Sequence, residues 1–283
     1  GAMMDNITTA RPHFGISEAD VTYEALVEGG ITRLMPIFHS KPAAKIMPIR
    51  SLRVYYADWC VEYQCSLVHI GGSGNVGDPR TDYRAKINAV GMRSIGVAGS
   101  YARDPNRVSV HSAFSSTELL QQTAQRLGFR GPLNSFTSWK YKNKDEVNSV
   151  SDPTAPVSYN FGSQGPYSVR WDYNADIKAY LRTMGGAAHI DAQNNQQVAV
   201  KNVIVMLAGY EVVGDSKGHV LYNTTGSGRA YIFRGNKAIV ATWSKPSPQA
   251  RTIFTDAAGK EVEFERGSSW VSVLPSTNLS VSY

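Results

Sequence analysis

Arg33, Arg50, Arg53 and His69 carry the first hint of chemistry, because each falls where a short strand or helix should begin or end. His69 runs directly into a glycine-rich turn, Ile70-Gly71-Gly72-Ser73-Gly74. Cationic side chains beside exposed backbone N–H groups are what a site for a carboxylate or phosphate requires. Arg50 and Arg53 flank Ser51, which reads as a helix N-cap, so free N–H groups and the helix dipole would add to two guanidiniums. Arginine can grip such an anion with two parallel hydrogen bonds. The competing reading pairs each arginine with an internal acid such as Asp20, Glu24, Glu28 or Asp58. His69 ends a predicted central strand, where ligands of α/β sheets collect, and a histidine there can move a proton near neutral pH. A buried histidine bonded to backbone fits the same position. His111, after the polar loop Arg103-Asp104-Pro105-Asn106-Arg107, is a second candidate. The candidate ligand site is therefore Arg33, Arg50, Ser51, Arg53, His69, Gly71, Gly72, Ser73 and His111.

Other chemistries find less support. A nucleophile elbow at Ser73 would need glycine at position 75, which is Asn75. The six histidines are scattered, none at HExxH or HxH spacing, and no acidic calcium loop is present, so no metal is expected. Gly226-Ser227-Gly228 precedes no helix and reads as a β-turn, so no cofactor is expected either. Trp171, Tyr173, Tyr180, Arg182, His189 and Asp191 form a polar-aromatic series. It suits a sugar or peptide groove, but corner residues locking a β domain are the favoured reading, as for Trp243 and Trp270.

The chain has 283 residues, 42% of them hydrophobic, enough for one large core or two ordinary ones. The net charge of +6 comes from 29 basic and 23 acidic residues that are dispersed along the chain, which argues against a nucleic-acid partner. The densest basic run, Lys140-Tyr141-Lys142-Asn143-Lys144, is followed at once by Asp145 and Glu146. Cys60 and Cys65 match neither a CxxC redox motif nor a zinc half-site. Two buried thiols are expected rather than a disulfide, since helix-to-strand geometry rarely brings the β-carbons close enough. Gly1-Ala2-Met3 reads either as a tag remnant or as the tail of a native strand, and no apolar run is long enough to cross a bilayer.

These residues must be positioned by two kinds of texture. Alternation over 21–38 around Gly29-Gly30 predicts a hairpin. A helix is expected over 51–63, a buried strand over 66–70, a short helix over 81–90 and a strand over 94–97. A Ser115/Glu118 capping box opens a helix over 115–127 that Gly128 stops. Residues 132–166 read as loop or linker with a strand at 158–161. Beyond them, strands are predicted at 198–207, 228–233, 237–242, 252–255, 261–264 and 269–274. The expectation is an α+β fold: a layered α/β N-terminal domain (1–140), a linker (141–165) and a mainly antiparallel β C-terminal domain (166–283).

The ordered series Met4-Asp5-Asn6, Ala10-Arg11-Pro12, Glu18-Ala19-Asp20, Tyr23-Glu24 and Glu28-Gly29-Gly30-Ile31-Thr32-Arg33 resembles the bacterial DUF3048 family. So do Pro48-Ile49-Arg50-Ser51, Arg53, Asp58 and His69-Ile70-Gly71-Gly72-Ser73. In the second half the similar residues are Tyr180-x-Arg182, His189-x-Asp191, Lys201-Asn202-Val203-Ile204-Val205, Thr242-Trp243 and Gly267-x-x-Trp270. The resemblance implies an exported, lipid-anchored protein and carries no catalytic residue list. Family members usually have glutamine where this chain has His13, so a pocket lined by position 13 would change ligand preference. The function expected is an extracytoplasmic, membrane-tethered binding or scaffold protein with an anion-accepting cleft. Its ligand would be an anionic small molecule or cell-envelope polymer. The alternatives are a hydrolase or transferase on such a polymer, with His69 or His111 as base, and an interaction module for a protein partner. Membrane contact would come only through a lipid anchor that this chain does not contain.

Overall fold

The computed structural model describes residues 1–129, 136–143, 155–162, 165–278 and 280–283. Much of the expected linker, with Lys144, Asp145 and Glu146, lies outside the described residues. The fold is mixed α+β. Its helices α1 (Val54–Val61), α2 (Tyr83–Val90) and α3 (Thr117–Arg126) all belong to the N-terminal region, and no helix occurs over 198–275. The strands of the two larger sheets begin with β1 (Met4–Asp5), β2 (Val21–Leu26), β3 (Thr32–Ile37), β4 (Val157–Asn160), β5 (Ser168–Asn174) and β6 (Ala179–Met184). They continue with β7 (Ala187–Ala188), β8 (Ala199–Val200), β9 (Asn202–Ala208), β10 (Gly226–Arg234), β11 (Lys237–Lys245), β12 (Ile253–Asp256) and β13 (Ser269–Pro275).

Eight of these strands form the main sheet, in the order β1-β3-β2-β13-β9-β10-β11-β12. Its pairings are antiparallel except at β13, which runs parallel to both β2 and β9. The sheet thus runs across the change of texture in the sequence. In the smaller sheet β7-β6-β5-β4 lie side by side, with β8 also on β6.

The β2–β3 hairpin forms as expected, because Gly29 and Gly30 adopt φ of 69° that side chains resist. Every residue of β2, β9 and β13 is buried, so both faces of the sheet centre are covered. The pleat sends Tyr23 and Ala25 toward α1, where Tyr23 stacks on Trp59 at 5.2 Å and the Ala25 N–H donates to the Tyr56 hydroxyl. It sends Glu24 to the opposite face, toward the smaller sheet. There Trp270 meets Trp171 at 5.6 Å, and Tyr159 bonds Ser272 at 2.7 Å. α1 is buried on every side, as a helix between layers must be.

Several local expectations are corrected. Ser51 is not an N-cap: α1 starts after Arg53, whose backbone is extended and whose side chain does not cap. α3 is capped by Ser116, which accepts from the Leu119 N–H, while Ser115 donates to the Ser100 carbonyl. The run over 198–207 divides at Lys201, because β8 pairs in the smaller sheet and β9 in the main one. The expected central strand at 66–70 is only Ser66–Leu67, paired with Arg93–Ser94 in a separate two-stranded sheet. Cys60 and Cys65 are bonded, with Cα atoms 5.4 Å apart. After α1 the chain turns back through Gln64 at φ 51°, so the Cys65 N–H reaches the Cys60 carbonyl.

Across the sheet face opposite α1, Glu24 and Arg182 make a fully buried ion pair at 2.6 Å. The Trp270 indole N–H donates to the same carboxylate oxygen at 3.0 Å, and Thr32 satisfies the other at 2.8 Å. The Arg182 guanidinium lies 4.4 Å from the Trp270 ring centroid. Removing one partner strands a buried charge, so Arg182→Ala should cost about 3–5 kcal/mol. Urea unfolding should show it as a lower midpoint; a change below about 1 kcal/mol would mean the pair is not what joins the sheets.

Candidate functional site

Asp5 organises most of the expected cation cluster. It ends β1, which is flanked on one side by β3 and on the other by residues 48–50. Arg33 is its direct cross-strand partner, so Arg33 and Arg50 approach its carboxylate from opposite sides. Arg50 Nε lies 3.0 Å from Oδ2 and Arg33 Nη2 lies 3.8 Å from Oδ1. The Ile49 N–H bonds the Ala113 carbonyl, which draws in the neighbouring turn and puts His111 Nδ1 3.3 Å from Oδ2. On its other edge, His111 Nε2 lies 3.2 Å from the Thr9 hydroxyl. Asp5, Arg33 and His111 are buried, whereas the Arg50 side chain is 34% exposed. Burial, reinforced by the charge of Arg53, lowers the Arg33 pKa to about 10, so it stays cationic at neutral pH.

The remaining expected residues lie in two neighbouring arrangements. Arg53 grips Glu28 through two bonds of 2.5 Å. Burial alone would raise Glu28, but Arg53 outweighs it and holds the carboxyl below its usual range. The Ser51 carbonyl accepts from Arg33 at 2.8 Å and Arg53 at 3.4 Å, and so links the two ion pairs. His69 faces inward: Nδ1 donates to the Gly71 carbonyl at 2.7 Å, which leaves Nε2 to accept from the Ser94 hydroxyl at 2.8 Å. Burial lowers its pKa, so the ring is neutral. The glycine turn is built for packing. A Cβ on Gly72 would lie 2.4 Å from the Tyr83 ring, and the Ile70 and Ser73 N–H groups already bond Arg50 and Leu52 carbonyls. His69, Gly71, Gly72 and Ser73 therefore form a structural turn beside the Asp5 cluster.

Behind Asp5 lies a directional chain of hydrogen bonds. Arg182 Nη1 can only donate, so His189 Nδ1 accepts at 2.8 Å. His189 Nε2 then carries the proton and donates to His13 Nδ1 at 2.9 Å, and His13 Nε2 donates to the Asp5 carbonyl at 2.7 Å. Asp191 is equally enclosed, accepting from the Gly15 and Ser17 N–H groups at 2.9 and 2.8 Å. The polar-aromatic series is thus a lock rather than a groove. Burial lowers His13 to about 4, and burial with the Arg182 charge pushes His189 well below its ordinary value. His13 is fully enclosed, so a different side chain at this position would change no pocket wall. Sequence reasoning passed over Asp5 and Thr9. Asp5 stood only within the resemblance, and an exposed threonine in a short turn gives no signal.

Two family models match the chain, one after the other. The model described as "Protein of unknown function (DUF3048) N-terminal domain" matches residues 1–130, and the DUF3048 C-terminal domain model matches residues 157–271. A relative from Bacillus subtilis (strain 168), "Putative lipoprotein YerB", is 25% identical over 287 residues, covering 96% of this chain and 80% of that protein. The crystal structure of the YerB protein from Bacillus subtilis superposes with a TM-score of 0.84 at 21% identity, covering 100% of this chain and 92% of the other.

The histidine relay predicts a pH dependence. His13 is neutral in the fold to about pH 4 but takes a proton near pH 6.5 when unfolded. Its stabilisation is complete above 6.5 and is lost as pH falls through that window, by up to about 3 kcal/mol. His13→Gln can accept from His189 and donate to Asp5, so it should keep stability at pH 7 and lose this part of the acid sensitivity. His13→Leu strands both neighbours and should cost about 1–3 kcal/mol for each. Urea titrations at pH 7 and 4.5 check this; equal acid sensitivity in the wild type and His13→Gln would refute the assignment.

Proposed function

The chain belongs to the DUF3048 family, and from that premise we propose that it is an extracytoplasmic, membrane-tethered binding or scaffold protein whose anion-accepting surface is centred on Arg50. The name of the Bacillus subtilis relative supports the tethered placement, and no helix among the described residues is long and apolar enough to cross a membrane.

The carrying observation is the imbalance around Asp5. Two guanidiniums share one buried carboxylate, and Arg33 is enclosed while Arg50 reaches solvent. The surplus positive charge is therefore presented by Arg50. Two further guanidiniums belong to the segments around His111 and Thr9: Arg107 donates to the Ala10, Arg11 and Pro12 carbonyls, and Arg103 to the Ser109 carbonyl. Carbonyl partners fix these side chains, and Asp104 offsets part of the Arg107 charge. A phosphate- or carboxylate-bearing polymer is the ligand class that such a surface suits.

Arg50→Gln should lose most binding to poly(glycerol phosphate), measured by calorimetry at low salt, while Arg33 keeps Asp5 compensated. Binding of the wild type should weaken as salt rises. Poly-glutamate in a parallel titration separates phosphate from carboxylate preference. Wild-type affinity in the Arg50→Gln protein would overturn the reading.

A further inference from the structure

Thr9, His111 and Asp5 stand in the order of a hydroxyl nucleophile, its base and the carboxylate that orients the base. We propose that they form an acyl-transfer site in which Thr9 is the nucleophile, His111 the general base and Asp5 the positioning residue. Thr9 is exposed on the turn Thr8–Ala10, with its Oγ1 3.2 Å from His111 Nε2. His111 Nδ1 faces Asp5 Oδ2 at 3.3 Å, and the two side chains are only 8% and 2% exposed. Nδ1 makes no hydrogen bond in this arrangement, but the carboxylate beside it can only accept, which favours the proton on Nδ1 and leaves the Nε2 lone pair for the Thr9 hydroxyl. The gradient of exposure is the one this chemistry needs, with the attacking oxygen at the surface and the acid deepest.

Asp5 lies between Arg33 at 3.8 Å and Arg50 at 3.0 Å, two ion pairs that favour keeping its carboxylate beside the imidazole. The Thr9 turn is fixed in turn by the Ala10 N–H on the Ile7 carbonyl and the Arg11 N–H on the Thr8 carbonyl. The step balances with water as the co-reactant. Thr9 Oγ1 forms a bond to the ester carbonyl carbon as its proton passes to His111 Nε2. The bond from carbon to the leaving oxygen breaks, and that oxygen takes the proton. Water, deprotonated by the same nitrogen, then releases the acid and restores Thr9. The favoured substrate is an ester of an anionic polymer, because Arg50 presents positive charge beside the same Asp5 carboxylate, a choice of class that rests on the binding reading above.

The test uses the full chain and p-nitrophenyl acetate, a neutral ester that does not depend on anion binding. Intact-mass and peptide analysis should find one acetyl group on Thr9. Thr9→Ala should lose that adduct, Thr9→Ser should restore it, and His111→Gln should slow acylation by about 100-fold or more. Asp5→Asn should lower the acylation rate without raising the half-saturating ester concentration. No acetylation at Thr9, or nitrophenol release by Thr9→Ala at the wild-type rate, overturns the proposal even if poly(glycerol phosphate) binds. Failure of that polymer to bind would remove only the substrate class.

Discussion

The buried pair between Glu24 and Arg182 is the constraint around which the molecule is arranged. Glu24 comes from the first hairpin and Arg182 from the smaller sheet, and neither can leave its water unless the other arrives. Trp270, from the last strand, donates to the same carboxylate and lies against the guanidinium. Three distant parts of the chain are thereby committed to one geometry. The large aromatic side chains around the pair exclude water and make its directionality count.

That constraint reaches the surface through Asp5. Its carbonyl terminates the relay from Arg182 through two neutral histidines, while its carboxylate gathers Arg33, Arg50 and His111. The backbone of one residue belongs to the interior and its side chain to the candidate site. Residues 46–52 extend this coupling, because they bridge to β1, to the glycine turn and to the segment that carries His111. The arginines are held on a rigid frame rather than on free loops.

Much of the fold was legible in the sequence, because alternation and turn chemistry are local. The β2–β3 hairpin, α3 and the strand-rich second half all announce themselves by period and by glycine. What was not legible depends on tertiary pairing. Nothing near 269–274 tells that β13 inserts between β2 and β9, and nothing near Ser66 tells that its strand is peripheral. The site shows the same division. The cationic residues could be listed from type and spacing, but their sorting among Asp5, Glu28 and backbone carbonyls is long-range. Thr9 became visible only when the Ser109–His111 turn was placed beside it.

The position of β13 has a temporal meaning. Val21 pairs with Ser269, and the same strand joins β2 to β9. Until residues 269–275 have been synthesised, the first hairpin has no neighbour on its open side and the sheet has no centre. Such distant pairing is slow to establish, because a long loop must close before any contact rewards it. The first hairpin therefore cannot complete its pairing until residues 269–275 are available, however early its own residues are made.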